Sequence, residues 1–156
     1  MNENISTDRI YYNLFEANAM VPRLEYLFTE LARIQQRVNR IVERAERSGI
    51  QLDVDAVMEG AKCDHPGGMR LQKLLLQLGE EYASHVDILE EMGIVVEDIE
   101  SGIVNFYSLL DGEEVLLSWE YGEPEVGYWH DLDEDYQCRR SLRKLLTRSP
   151  RRPRLH

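Results

Sequence analysis

The chain has 156 residues, 43% of them apolar and 30% charged, with a net charge of −11. This length suits one domain with a real core, and the balance excludes wholesale disorder. No apolar run approaches the roughly 20 residues of a spanning helix. The opening MNENISTDRI lacks the basic and apolar blocks of a signal peptide. The expectation is a cytoplasmic protein with no transmembrane segment, in which Cys63 and Cys138 are free thiols.

Charge falls in three blocks. Residues 1–73 are nearly balanced, residues 74–138 carry 18 acids and no Lys or Arg, and residues 139–156 carry eight bases and no acid. The middle block cannot pair its acids internally, so it needs solvent, cations or bases from elsewhere.

Asn13-x-x-Glu16 reads as a capping box opening a helix over about 14–48. Pro22 is expected to kink or restart that helix. Leu24, Leu27, Leu31, Ile34, Val38, Ile41 and Ala45 then alternate steps of three and four, and Gly49 ends the run. Residues 50–68 form a connector with a helical turn around Asp55–Gly60, closed by the breaker His65-Pro66-Gly67-Gly68. A second helix over about 68–92 repeats the seam through Leu71, Leu75, Leu78, Tyr82, His85, Leu89 and Met92. Two such helices predict an antiparallel coiled-coil-like hairpin. His85 on the seam reads as a core-edge histidine bonded to a neighbour.

After Gly93 the apolar period becomes two. Residues 94–99, 103–107, 114–120 and 126–130 read as strands separated by Ser101-Gly102, Asp111-Gly112 and Gly122-Glu123-Pro124. The predicted class is α+β: a helical hairpin (14–92) packed with a small antiparallel meander (94–130), all within one domain of residues 1–140. The basic tail 141–156 is expected to hold a short helix, bury little and be partly disordered.

Several stretches resemble one bacterial family, domain-of-unknown-function 2203, over about residues 16–139. They are Glu16-Ala17-Asn18 with Pro22 and Leu24, Gly102-Ile103-Val104-Asn105-Phe106, Val115-x-x-x-Trp119-x-x-Gly122-Glu123, and Tyr128-Trp129-His130 followed by Tyr136 and Arg139. The resemblance implies a mostly helical α+β protein and supplies no activity. Asn105 and Tyr107 stand where the family usually has Asp and Pro, so an acidic ligand or base at position 105 would be missing here.

The stretch YGEPEVGYWHDLDEDYQCRR sets His130 among aromatics and acids. Asn105, Trp119, Glu123, Tyr128 and His130 form the candidate pocket, with Glu123 and His130 expected close together and partly exposed. One reading is structural: packed tryptophans, a glycine turn, and a histidine that closes a strand. The other makes His130, Glu123 and Asp131 ligands of a divalent cation, Mg²⁺ or Mn²⁺, or an acid–base pair. Asp131-x-Asp133-x-Asp135 starts like a calcium loop, but Tyr136 stands where that loop needs Gly and Leu142 where it needs Glu. Cys63, His65, His85, His130 and Cys138 have poor zinc spacing. No phosphate loop, nucleophile elbow or dinucleotide motif is present.

No cofactor is therefore predicted beyond that cation. The preferred function is a non-catalytic protein-interaction or regulatory module, with a protein partner or a second copy bound through the helical hairpin. The alternative is a metal-binding protein or metal-assisted hydrolase at His130 and Glu123. Arg139, Arg140, Arg143, Lys144, Arg148, Arg151, Arg152 and Arg154 are the expected basic contact for nucleic acid or an anionic surface. The row Arg33, Arg37, Arg40, Arg44 and Arg47 reads as a solvated helix face.

Overall fold

The computed structural model describes residues 8–63 and 65–148. The chain divides into two compact units, one formed by residues 29–87 and the other by the residues up to 28 together with those from 88 onward. Helix α1 spans Leu14–Arg47, α2 Val54–Met58, α3 Pro66–Glu91 and α4 Leu142–Arg148. Strands β1 (Val95–Asp98), β2 (Ile103–Leu110), β3 (Glu113–Glu120), β4 (Tyr128–Asp131) and β5 (Arg140–Ser141) lie between α3 and α4. The class is α+β as predicted, and none of the described helices is long and apolar enough to cross a membrane.

The capping box forms in both directions. Glu16 N donates to Asn13 Oδ1 at 2.7 Å, and Asn13 N donates to Glu16 Oε1 at 3.1 Å. These bonds satisfy two backbone donors that a helix start leaves open. α1 runs on through Pro22 as one helix, without a restart there. Ala17, Val21 and Leu24 are all buried around that position, and their packing outweighs the single backbone bond lost at proline. The helix ends in a Schellman motif. Gly49 takes φ +71°, Ile50 N donates to Ala45 O at 2.8 Å, and Gly49 N donates to Glu46 O at 3.1 Å.

In the 29–87 unit, α1 and α3 run antiparallel. Ala45, Ile50 and Leu71 form one cluster, with Ile41, Leu52 and Cys63 packed on it. At the other end Ile34 and Val38 share a groove with Leu78 and Tyr82. Asp53 caps α2 by accepting from Asp55 N and Ala56 N. A Cβ on Gly79 would sit 2.7 Å from Met58 Sδ, so this glycine lets α2 lie against α3. The expected breaker at 65–68 is instead the start of α3. Proline suits the first helical position because no partner is needed for the missing N–H, and His65 Nδ1 accepts from Gly67 N at 3.1 Å.

In the other unit the strands form one antiparallel sheet in chain order. Asp111 (φ 51°) and Gly112 (φ 84°) make the two-residue turn between β2 and β3, both in the left-handed region. Such a turn matches the twist of the strands it joins. Opposed residues share a face. Val104↔Trp119, Phe106↔Leu117 and Ser108↔Val115 make a fully buried face. Phe28 of α1 tilts onto Trp119 and Tyr12 meets Phe106 edge-on, with centroids 6.2 and 5.0 Å apart. The other face carries Asn105↔Ser118↔Tyr128 and Tyr107↔Leu116↔His130. β1 is bulged between Val96 and Asp98, which leaves Glu97 as the extra residue.

The short helix expected in the basic tail forms as α4. Arg140 and Ser141 pair with Trp129 and Tyr128 as a fifth strand. Leu142 N then donates to Gly127 O at 2.9 Å. The expectation that the tail buries little fails at Leu142, which is 3% exposed. Leu142→Ala should accordingly cost about 2 kcal/mol or more in urea denaturation. A midpoint equal to wild type would show that α4 is not seated. The disorder expected further along concerns residues 149–156, which lie outside the described residues.

Candidate functional site

The second face of the sheet holds two linked polar clusters. The first centres on His130, which is fully buried rather than partly exposed as the run of neighbouring acids suggested. Its Nδ1 lies 2.8 Å from Asp131 O. Its Nε2 lies 3.3 Å from Asn105 Oδ1 and 3.6 Å from Glu97 Oε1. Asn105 Nδ2 donates to the same Glu97 oxygen at 2.9 Å, which fixes Oδ1 toward the imidazole. The other Glu97 oxygen accepts from Tyr136 N at 2.9 Å. Both imidazole nitrogens thus face oxygen acceptors, and the β1 bulge is what brings the Glu97 carboxylate to them.

The second cluster centres on Arg139. Its Nη2 donates to both oxygens of Glu123, at 2.7 and 2.8 Å. Its guanidinium lies over Tyr128 at 4.0 Å and Tyr136 at 4.6 Å. Glu123 also accepts from Glu120 N at 2.6 Å, while its carbonyl accepts from Trp119 Nε1 at 3.0 Å. Gly122, at φ +102°, makes the turn that sends Glu123 back along β3. Tyr136 joins the two clusters through its backbone and its ring. Its phenol is held above the ordinary value of 10.0, first by a hydrogen bond with Glu120 and then by burial. The Tyr12 phenol is also raised, chiefly by burial. A raised phenol contributes stability that is complete below the unfolded value and lost as pH climbs through the folded one. Tyr11 is raised as well, by burial and by its hydrogen bond with Glu114, so unfolding should ease only above about pH 10, with three tyrosines ionising late in an ultraviolet titration. Fully coincident ionisation of all tyrosines would contradict this.

The structure places the five predicted pocket residues as follows. Asn105 and His130 belong to the first cluster. Glu123 and Tyr128 belong to the second, and Trp119 is in the core beneath it. Glu123 and His130 have separate partners. Asp131 pairs with Arg140 at 3.4 Å, and Arg140 also reaches Glu134 at 3.0 Å and lies over Trp129 at 4.8 Å. Among the described residues no three His, Cys, Asp or Glu side chains gather as a metal site. Arg139 and Arg140, two of the residues expected as the basic contact, pair with Glu123 and with Asp131 and Glu134 respectively. Arg143 lines a cleft with Glu123 and Glu125, and Lys144 lines one with Tyr128 and Trp129. Arg151, Arg152, Arg154 and the side chain of Arg148 lie outside the described residues. His85, half-buried on α3, has Nδ1 2.7 Å from Glu81 O, the neighbour bond expected of it. Sequence reasoning missed Glu97, whose only signal was its place in a strand ending on two acids.

Residues 10–142 match the family described as Uncharacterized conserved protein (DUF2203). The chain belongs to this family. Comparison with curated proteins and with solved structures returns no match. The DUF2203 match begins before the resemblance legible in the motifs and runs on to Leu142. It therefore takes in both clusters, β5 and the first residue of α4 of this DUF2203 chain.

The His130 cluster yields a test of its own. His130→Ala should cost about 1–3 kcal/mol, because it leaves the buried Asn105 Oδ1 without the imidazole that faces it. Thermal melts in Mn²⁺, Mg²⁺ and Zn²⁺ should leave both proteins unshifted. A cation that raises the wild-type melting temperature, and not that of the variant, would make His130 a ligand.

Proposed function

We propose that this DUF2203 protein is a non-catalytic interaction module that docks a protein partner on its helical unit. The observation that carries this reading is an open groove of about 710 Å³ between α1, α2 and α3. Its walls include Val38, Val42, Val54, Met58 and Tyr82, and Met58 is 41% exposed. A concave apolar surface of this size, on paired helices, suits helix-in-groove recognition. The charged groups of the sheet's polar clusters pair with one another, which favours the helical unit as the docking surface.

The reading is tested with a photo-crosslinking residue placed at Met58 and, separately, at the Asp111 turn. Crosslinks in cells should concentrate at position 58 and disappear when Val38→Glu is added. Equal crosslinking at the two positions, or survival of the position-58 adduct in the Val38→Glu background, would overturn it.

A further inference from the structure

Resting on that docking reading, we infer that the occupant of the helical groove is a basic amphipathic helix. The α1 wall supplies Ile34, Val38 and Val42, one residue per turn along a single ridge. The opposite wall supplies Leu78 and Tyr82, and Met58 closes the end. A straight apolar ridge of this kind accepts apolar side chains spaced three and four apart on a partner helix, and it rejects a flat polar surface. From Ile34 to Glu46 the groove runs about 18 Å, the length of roughly three helical turns. Met58 has the flexible thioether that lets such grooves adapt to different apolar knobs.

The rim sets the sign of the partner's charge. The charged residues lining the groove are Glu43, Glu46 and Asp55, with no Lys or Arg among them. Among the described residues none of these acids enters an ion pair. The cleft of about 250 Å³ lined by Arg37, Arg40, Ile41 and Leu74 is smaller and carries two arginines. The hairpin therefore presents its larger apolar surface with an acidic border, and Lys or Arg flanking the apolar stripe of a partner would meet that border.

The experiment uses two labelled peptides of roughly 15 residues, long enough to reach helical form on binding. Both carry the same Leu stripe; one has Lys on its flanks and the other Glu. Fluorescence anisotropy with the full chain should show binding of the Leu–Lys peptide only. Reversing the rim with Glu43→Lys and Glu46→Lys, both at exposed positions, should weaken it about tenfold or more. Added salt should weaken it as well. Circular dichroism of the variant checks that it remains folded. If the Leu–Glu peptide binds equally, or the rim reversal changes nothing, the basic-partner inference fails while the docking surface stands. If neither peptide binds, both fall. Sedimentation of the chain alone covers one more outcome: a dimer that the rim reversal dissociates would make a second copy the occupant and overturn the inference.

Discussion

Trp119→Ala should lower the unfolding free energy by about 3–5 kcal/mol. Trp119 is fully buried. It faces Val104 across the sheet and packs against Phe28, with Tyr121 edge-on at 6.4 Å. Truncation would open a cavity that strands on both sides and a helix above cannot collapse to fill. Domains of this kind hold only about 5–15 kcal/mol in total, so the variant would be marginal at room temperature. Trp119→Phe separates the two contributions. It keeps most of the apolar packing and removes the N–H that reaches Glu123 O at 3.0 Å, a loss on the order of 1 kcal/mol. Urea midpoints followed by circular dichroism decide the matter. If alanine costs no more than phenylalanine, the ring does not anchor the core.

The second large effect is expected at Glu123. Glu123→Gln keeps an oxygen for Glu120 N and removes the charge opposite Arg139, whose side chain is only 8% exposed. An exposed pair would contribute little, but this guanidinium is enclosed by Tyr128, Tyr136 and the carboxylate. Removing one partner of such a pair costs about 3 kcal/mol, because the remaining charge stays buried without compensation. Arg139→Lys should also be costly, since an ammonium cannot reproduce a planar group stacked on two rings. A double-mutant cycle with Glu123→Gln and Arg139→Gln should show a coupling well above the ~0.5 kcal/mol expected of independent sites. Additive losses would mean that the two residues act separately.

The helices and the sheet were legible because each rests on a repeating pattern. The seam from Leu24 to Ala45, the box at Asn13 and Glu16, and the Asp111-Gly112 turn all act within a few residues, where spacing and backbone preference suffice. The helix does not restart at Pro22 because a local penalty is offset by the burial of Ala17, Val21 and Leu24, which no local pattern reveals. Pro66 misled because proline disfavours a helix interior and favours its first position, so one residue signals either outcome. The site was legible only in part. Asn105, Glu123, Tyr128 and His130 were singled out by residue type, but their partners depend on register. Glu97 joins His130 because β1 is bulged, and Arg139 reaches Glu123 because Gly122 turns the chain back. The eight-base block at the C-terminus looked like one surface. Two of its arginines, placed on the last strand and just before it, are instead counter-ions for the acid-rich block that has no bases of its own.

The sheet's two outer strands bear on how this protein associates. An exposed strand edge is a template for pairing with another chain, and proteins that remain discrete shorten, bend or charge such edges. β1 is four residues long, interrupted by its bulge and ending in Glu97 and Asp98. β5 is two residues long and passes at once into α4. Neither offers the straight run of free N–H and C=O groups on which a neighbouring strand could extend the sheet. Aggregation by strand addition is thereby discouraged at both ends of the sheet.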